Sequence, residues 1–332
     1  MTAASFETLT QHVVDLPAGD FVAFAVFLGK TPVLALADGR VLIGGAEVRN
    51  EVQAHEGAIL VSCSDGNRLV TGGDDGLVVQ VDATGARNVL ADEKGRWIDA
   101  VAVGASGVTA WTVGKRVVAR DGKGKIRTLD LASTSRGLCF APKGYRLAAT
   151  HADGATLWFP STDASPDRLE WKGSHLDVAW SADGRFIVTS MQENQLHGWQ
   201  LPAKAHMRMS GYPSKTRSMS WSGDGAWLAT SGAEGAIIWP FSGNGPTGKA
   251  PRECGVRPKR VTRVAFHPKA LVLAIGYEDG WVMLVRLTDA AELLVRRGTG
   301  EPVTALAWDA LGQRLLFGTE DGAAGLLTLP GG

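Results

Sequence analysis

One corner recurs along this chain and limits what it can fold into. LADGRVLI (36–43), GGDDGLVVQV (72–81), TVGKRVVA (112–119), HADGATLW (151–158), MQENQLHGW (191–199), GAEGAIIW (232–239), GYEDGWVMLV (276–285) and GTEDGAAGLL (318–327) each set a polar turn, usually acid then glycine, between β-prone runs. The second turn residue falls at 39, 76, 115, 154, 194, 235, 280 and 322, so neighbouring corners are 37 to 45 residues apart. Asp-Gly and Glu-Gly make tight hairpins because glycine takes positive φ without steric cost and the acid caps nearby amides. A period of about 40 residues built from short strands is that of a four-stranded propeller blade.

A second hairpin precedes each corner, as in CSDGNRL (63–69), SADGRFI (181–187) and DALGQRL (309–315), and an apolar strand such as LDVAW, RSMSW or TALAW leads into it. A more polar fourth strand follows, for example NEVQA (50–54), RLEWK (168–172) or ELLVRR (292–297). After the eighth corner the chain runs out at LLTLPGG without one, whereas TQHVVDLP at 10–17 has strand character and no other assignment. The expected fold is all-β: one domain over 1–332, a single β-propeller of eight four-stranded blades, with 10–17 closing the last blade so that no edge is left open. Seven blades plus an irregular piece is the alternative, because the unit at 97–131 is the most degenerate.

In spacing and apolar pattern these units resemble the WD40 family of β-propellers over nearly the whole chain, although no third strand ends in Trp-Asp. Tryptophan near the family's place remains at Trp158, Trp199 and Trp239. The resemblance implies that the family's His–Ser/Thr–Asp–Trp chain is partly kept by His175, Thr189 or Ser190, Glu193 and Trp199, and by His55, Thr71 and Asp75 without the tryptophan. It also implies a rigid disc that presents loops to protein partners.

Lys and Arg total 34 and Asp and Glu total 34, so no overall field drives binding to nucleic acid or an anionic membrane. Cys63, Cys139 and Cys254 lie far apart without metal-ligand spacing, which fits a reducing compartment, and FVAFAVFL at 21–28 is too short to span a bilayer. A cytoplasmic protein, monomeric on its own, is expected.

Two motifs look like chemistry and are read as loops. Gly243, Gly248 and Lys249 satisfy G-x-x-x-x-G-K, and Gly243, Gly245 and Gly248 satisfy G-x-G-x-x-G, yet Ala250 and Pro251 follow where a phosphate loop needs Ser or Thr and a helix. The seven histidines have no metal-binding or nucleophile-activating spacing. No catalytic residue, metal or cofactor is therefore expected. Trp180, Trp221 and Trp308 recur at one place in the inner strand, as inter-blade packing requires, whereas Trp97 and Tyr212 fall in loops and are expected to be exposed.

Charge supplies the functional expectation. The loops opening units three to seven hold Lys94, Arg96, Arg136, Lys172, Lys215, Arg217, Arg257, Lys259, Arg260 and Arg263, and with their acids and corners this arc nets +4. The loops and corners of units eight, one and two net −7. Such a face can orient a partner, or its charges can serve only turn geometry and solubility. The expected function is a non-catalytic scaffold or adaptor binding one or more proteins through Arg96, Trp97, Arg136, Lys172, Tyr212, Lys215, Arg217, Arg260 and Arg263. A small-ligand binder or enzyme with its site at the central channel is the alternative.

Overall fold

The computed structural model describes residues 7–47 and 49–331. Their regular structure is β-strand, apart from single 3-10 turns at Thr10–His12 and Ala105–Gly107. Unit one shows the pattern: Val22–Leu28, Thr31–Leu36, Arg40–Gly44 and Arg49–Gln53 run antiparallel in chain order. The second strand is almost wholly buried and the fourth mostly exposed, which is why the sequence turns polar from the centre outward. Unit three, the most degenerate in sequence, forms four regular strands, Ala100–Val103, Thr109–Val113, Arg116–Arg120 and Ile126–Asp130.

Neighbouring units enclose separate apolar cores, such as Val33, Leu69 and Val79 between units one and two, or Ala274, Leu284 and Phe317 between units seven and eight. Each fully buried Val, Leu or Phe contributes about 1.5–3 kcal/mol. Hydroxyls and indoles tie the layers across these cores. Thr262 Oγ1 donates to Val303 O at 2.7 Å, Thr150 Oγ1 to Leu176 O at 3.0 Å, Trp180 Nε1 to Cys139 O at 3.2 Å and Trp308 Nε1 to Ala265 O at 3.1 Å. Trp221 takes the same place but packs edge-on against Phe241, 4.6 Å between ring centres.

The ring closes where Val303–Trp308 lies beside Val22–Leu28 and Thr304 Oγ1 donates to Val22 O at 2.6 Å. The strand expected over 10–17 is shorter, Val13–Asp15, and pairs antiparallel with Ala324–Thr328 as the outer strand of the last sheet. Glu7–Thr8 adds a parallel fifth strand outside Ala291–Arg296, which the repeat pattern did not signal.

The expectation of eight four-stranded blades requires correction: the described chain forms a single β-propeller of seven hydrogen-bonded sheets, so with each sheet counted as one blade, seven blades, the alternative, is the count that holds. Five have four strands, one has five, and one has six because the units at 138–174 and 175–209 share it. The join is Asp167–Trp180, whose first half pairs with the outer part of Leu147–Trp158 and whose second half pairs with Phe186–Met191. Gly173, at φ 135°, sits at the join, where a Cβ would come within 2.4 Å of Met191 Cε. Within Leu147–Trp158 the corner at Asp153 and Gly154 reverses the chain through φ 63° and 141°. The two units still face each other across their own core of Ala148, Leu157, Leu169, Val178, Ile187 and Trp199. Unbroken backbone pairing merges the sheets, while packing keeps the layers distinct.

Candidate interaction face and channel mouth

The corners and the loops that open each unit share one face because the corner carboxylates reach the loop amides. Asp74 accepts from Ala58 N at 2.8 Å, Glu193 from Ser174 N at 3.0 Å, Asp153 from Gly173 N at 3.0 Å and Glu278 from Arg260 N at 3.1 Å. Several corner and loop charges are also in ion pairs: Lys94 with Asp92, Arg257 with Asp279, Glu93 with Arg116 just past its corner, and Asp38 with Arg40. Glu234 makes no side-chain bond among the described residues and is exposed.

Behind this face lie the polar chains of units two, five and six. His55 is 1% exposed, with Nδ1 3.0 Å from Asp75 Oδ1 and Nε2 2.7 Å from Thr71 Oγ1. A carboxylate only accepts, so Nδ1–H donates and Nε2 receives the threonine proton. Burial pushes the His55 pKa down against the pull of Asp75. Burial acts the other way on Asp75, but the Leu77 amide and His55 hold it below the usual carboxylate range.

In unit five His175 Nε2–H donates to Trp171 O at 2.9 Å and Nδ1 is 2.7 Å from Thr189 Oγ1, with the Trp199 ring 5.7 Å away. Ser190 lies outside this chain, since its hydroxyl accepts the Asp177 amide at 3.2 Å. Glu193 also stays outside it, on the Ser174 amide.

Tyr212 corrects a second expectation. It is 8% exposed, with its hydroxyl 2.6 Å from Thr230 Oγ1 and accepting from Trp239 Nε1 at 2.6 Å. It is therefore an interior link of unit six and cannot meet a partner. The available signal was Thr230, which stands four residues before Glu234 as Thr71 and Thr189 stand before Asp75 and Glu193. His197 carried no such signal: fully buried, it stacks on Trp171 at 3.9 Å and 14°, with neither ring nitrogen hydrogen-bonded.

The remaining partner-binding candidates divide into two groups. Arg96, Trp97 and Arg136 are exposed on loops and Lys172 is exposed on the joining strand Asp167–Trp180; Trp97, at 64%, is an exposed indole of the kind that anchors interfaces. Lys215, Arg217, Arg260 and Arg263 converge on a cavity of about 640 Å³. Its wall runs from Asn194 of unit five through Ser231, Val261 and Val303 to Phe21 of unit one, so it is the mouth of the central channel. Arg263 donates through Nε to Thr304 O at 2.6 Å and through Nη1 to Thr262 O at 3.1 Å. Asp177, on the strand Asp167–Trp180, is reached by water yet crowded by protein; burial raises its pKa, and the Val178 amide and Arg263 only partly oppose this.

The phosphate-loop look-alike does not build a cradle. Lys249 folds its ammonium back onto Ser242 O, and the strand Arg252–Cys254 follows instead of a helix. Cys63, Cys139 and Cys254 are free thiols, and burial pushes Cys139 and Cys254 up to about 12. Among the described residues no three His, Cys, Asp or Glu side chains group closely enough to hold a metal ion, and no helix is long and apolar enough to cross a membrane.

No protein-family model matches this chain, and no curated protein is similar to it in sequence. Among solved structures, the crystal structure of a computationally designed protein, Ika8, aligns with a TM-score of 0.78 over 94% of this chain and 98% of its own, at 17% sequence identity. At that identity the likeness is one of fold alone: this chain is similar to that designed protein in its β-propeller architecture.

Proposed function

We propose that this protein is a WD40-like propeller of the cytoplasm that works as a non-catalytic scaffold, docking partner proteins on its corner face. One asymmetry carries the reading. Corner acids of that face are spent on loop amides, whereas Arg96, Arg136 and Lys172 have no side-chain ion pair among the described residues. Unpaired cations beside the exposed Trp97 suit an acidic protein surface with an apolar anchor point.

The test is affinity capture from the native host. A variant carrying Trp97→Ala, Arg136→Glu and Lys172→Glu is expected to retain at least tenfold less partner than the parent. Lys143→Glu with Lys269→Glu, exposed on the hairpins of the opposite face, should leave capture unchanged. Equal capture by both variants would sink the docking face. The second reading, a small-ligand site at the central channel, is favoured by the cavity at the channel mouth.

A further inference from the structure

Among the residues lining the mouth cavity, Lys215, Arg217, Arg260 and Arg263 face only two carboxylates, Glu278 and Glu320. Glu278 is already engaged by the Arg260 amide. The Arg217 side chain makes no hydrogen bond or ion pair among the described residues, yet its backbone is fixed, because the amides of Arg217 and Ser218 both donate to Ser231 Oγ at 3.1 Å. Arg263 spends Nε and Nη1 on carbonyls, which aims a rigid fork and leaves Nη2 to spare. The two guanidiniums repel: burial and then Arg217 push the Arg263 pKa down, and Asp177 offsets this only in part, with no ion pair between Asp177 and Arg263. A guanidinium fixed as Arg263 is, with a second cation close enough to repel it in a partly enclosed cavity, is unfavourable until an anion sits between them.

We propose that the channel mouth is a binding site for a phosphate-class dianion, held between Arg217 and Arg263 with Lys215 and Arg260 at its rim. Two unbalanced positive charges call for a dianion more than a single carboxylate, and guanidinium forks match tetrahedral oxyanions. The volume leaves room for whatever carries the phosphate, a small solute or a partner's phosphorylated side chain. The proposal rests on the channel reading and is independent of the docking face.

The intact chain would be titrated with inorganic phosphate at constant ionic strength, following heat and Tm. Saturable binding with a rise in Tm is expected. Arg217→Gln should weaken it at least tenfold while leaving the anion-free Tm equal or higher, because one of two repelling charges is gone; Arg136→Gln should bind as the parent does. A phosphoserine peptide binding at least tenfold tighter than phosphate assigns the group to a partner's side chain, and equal affinity assigns it to a small solute. Absence of saturable phosphate binding, undiminished binding by Arg217→Gln, or a lower anion-free Tm in that variant overturns the site. The Trp97→Ala, Arg136→Glu, Lys172→Glu variant should bind phosphate normally even if it loses its partners, which separates failure of this site from failure of the docking face.

Discussion

In unit five the strand Asp167–Trp180, running unbroken from the preceding unit, places His175 against Thr189; in unit six the loop at the same position places Tyr212 against Thr230. The threonine, four residues before the corner acid, is common to both, and so is a tryptophan on the third strand, Trp199 or Trp239. What differs is the ring between them and hence the response to protons. Burial pushes Tyr212 up to about 12, out of the range of ordinary conditions, whereas it pushes His175 down and His197 down to about 3. Two adjacent units with the same mechanical link therefore differ in acid sensitivity, because burial disfavours the charged form of each group and so raises a phenol's pKa and lowers an imidazole's.

The largest expected effect breaks the unit-six link. Tyr212→Ala removes a buried ring from the core with Phe186, Leu228 and Phe241 and should cost about 4 kcal/mol in denaturant unfolding. Tyr212→Phe keeps the ring but leaves the Trp239 N–H without an acceptor, and about 2 kcal/mol is expected. If Tyr212→Phe costs nothing, the hydroxyl link has no role beyond packing; if it costs as much as Tyr212→Ala, the ring adds nothing beyond its hydroxyl.

Next in size is the acid response of unit five. In the unfolded chain His197 titrates near its ordinary value of about 6.5, and in the fold at about 3, through burial and then the charges of His175, His206 and Arg208. The native state binds fewer protons, so this stability is present above pH 6.5 and is lost as pH falls towards 3. A loss of roughly 2–3 kcal/mol between pH 7 and pH 4 follows. His197→Phe keeps a flat ring on Trp171 and should flatten that slope. A slope unchanged by the substitution would place the acid response elsewhere in the protein.

How far such differences can be read in advance depends on whether their cause is local. Each corner is set by two or three adjacent residues, so the propeller repeat, its strand order and the closing role of Val13–Asp15 were legible in turn chemistry and alternation, but the number of blades was not. The merged sheet was not, since it depends on whether backbone pairing runs on through Gly173, and no side chain announces that. Tyr212 lies in a loop, which by itself points to the surface, and only Thr230 marks where its buried hydroxyl finds a partner. The mouth cavity required residues from units five to one to be brought together, which only the closed ring does. Sequence counting found the excess of cations; it could not find which of them Asp92, Glu93 and Asp279 neutralise.

The smallest expected effect is also the sharpest comparison between the two units, because Glu193 and Glu234 occupy equivalent corners. Glu193 accepts the Ser174 amide at the start of its own unit, beside the Gly173 join. Removing a carboxylate that satisfies a backbone amide costs roughly 1 kcal/mol, and Glu193→Ala should show that in unfolding at pH 7. Glu234 has no such amide, so Glu234→Ala should fall within about 0.5 kcal/mol of the parent, as exposed substitutions do. Equal costs would mean that the corner acids act through charge at the face as a whole. Unequal costs, in the order given, would mean that each acid counts by the amide it caps, leaving the uncapped Glu234 free to face a partner.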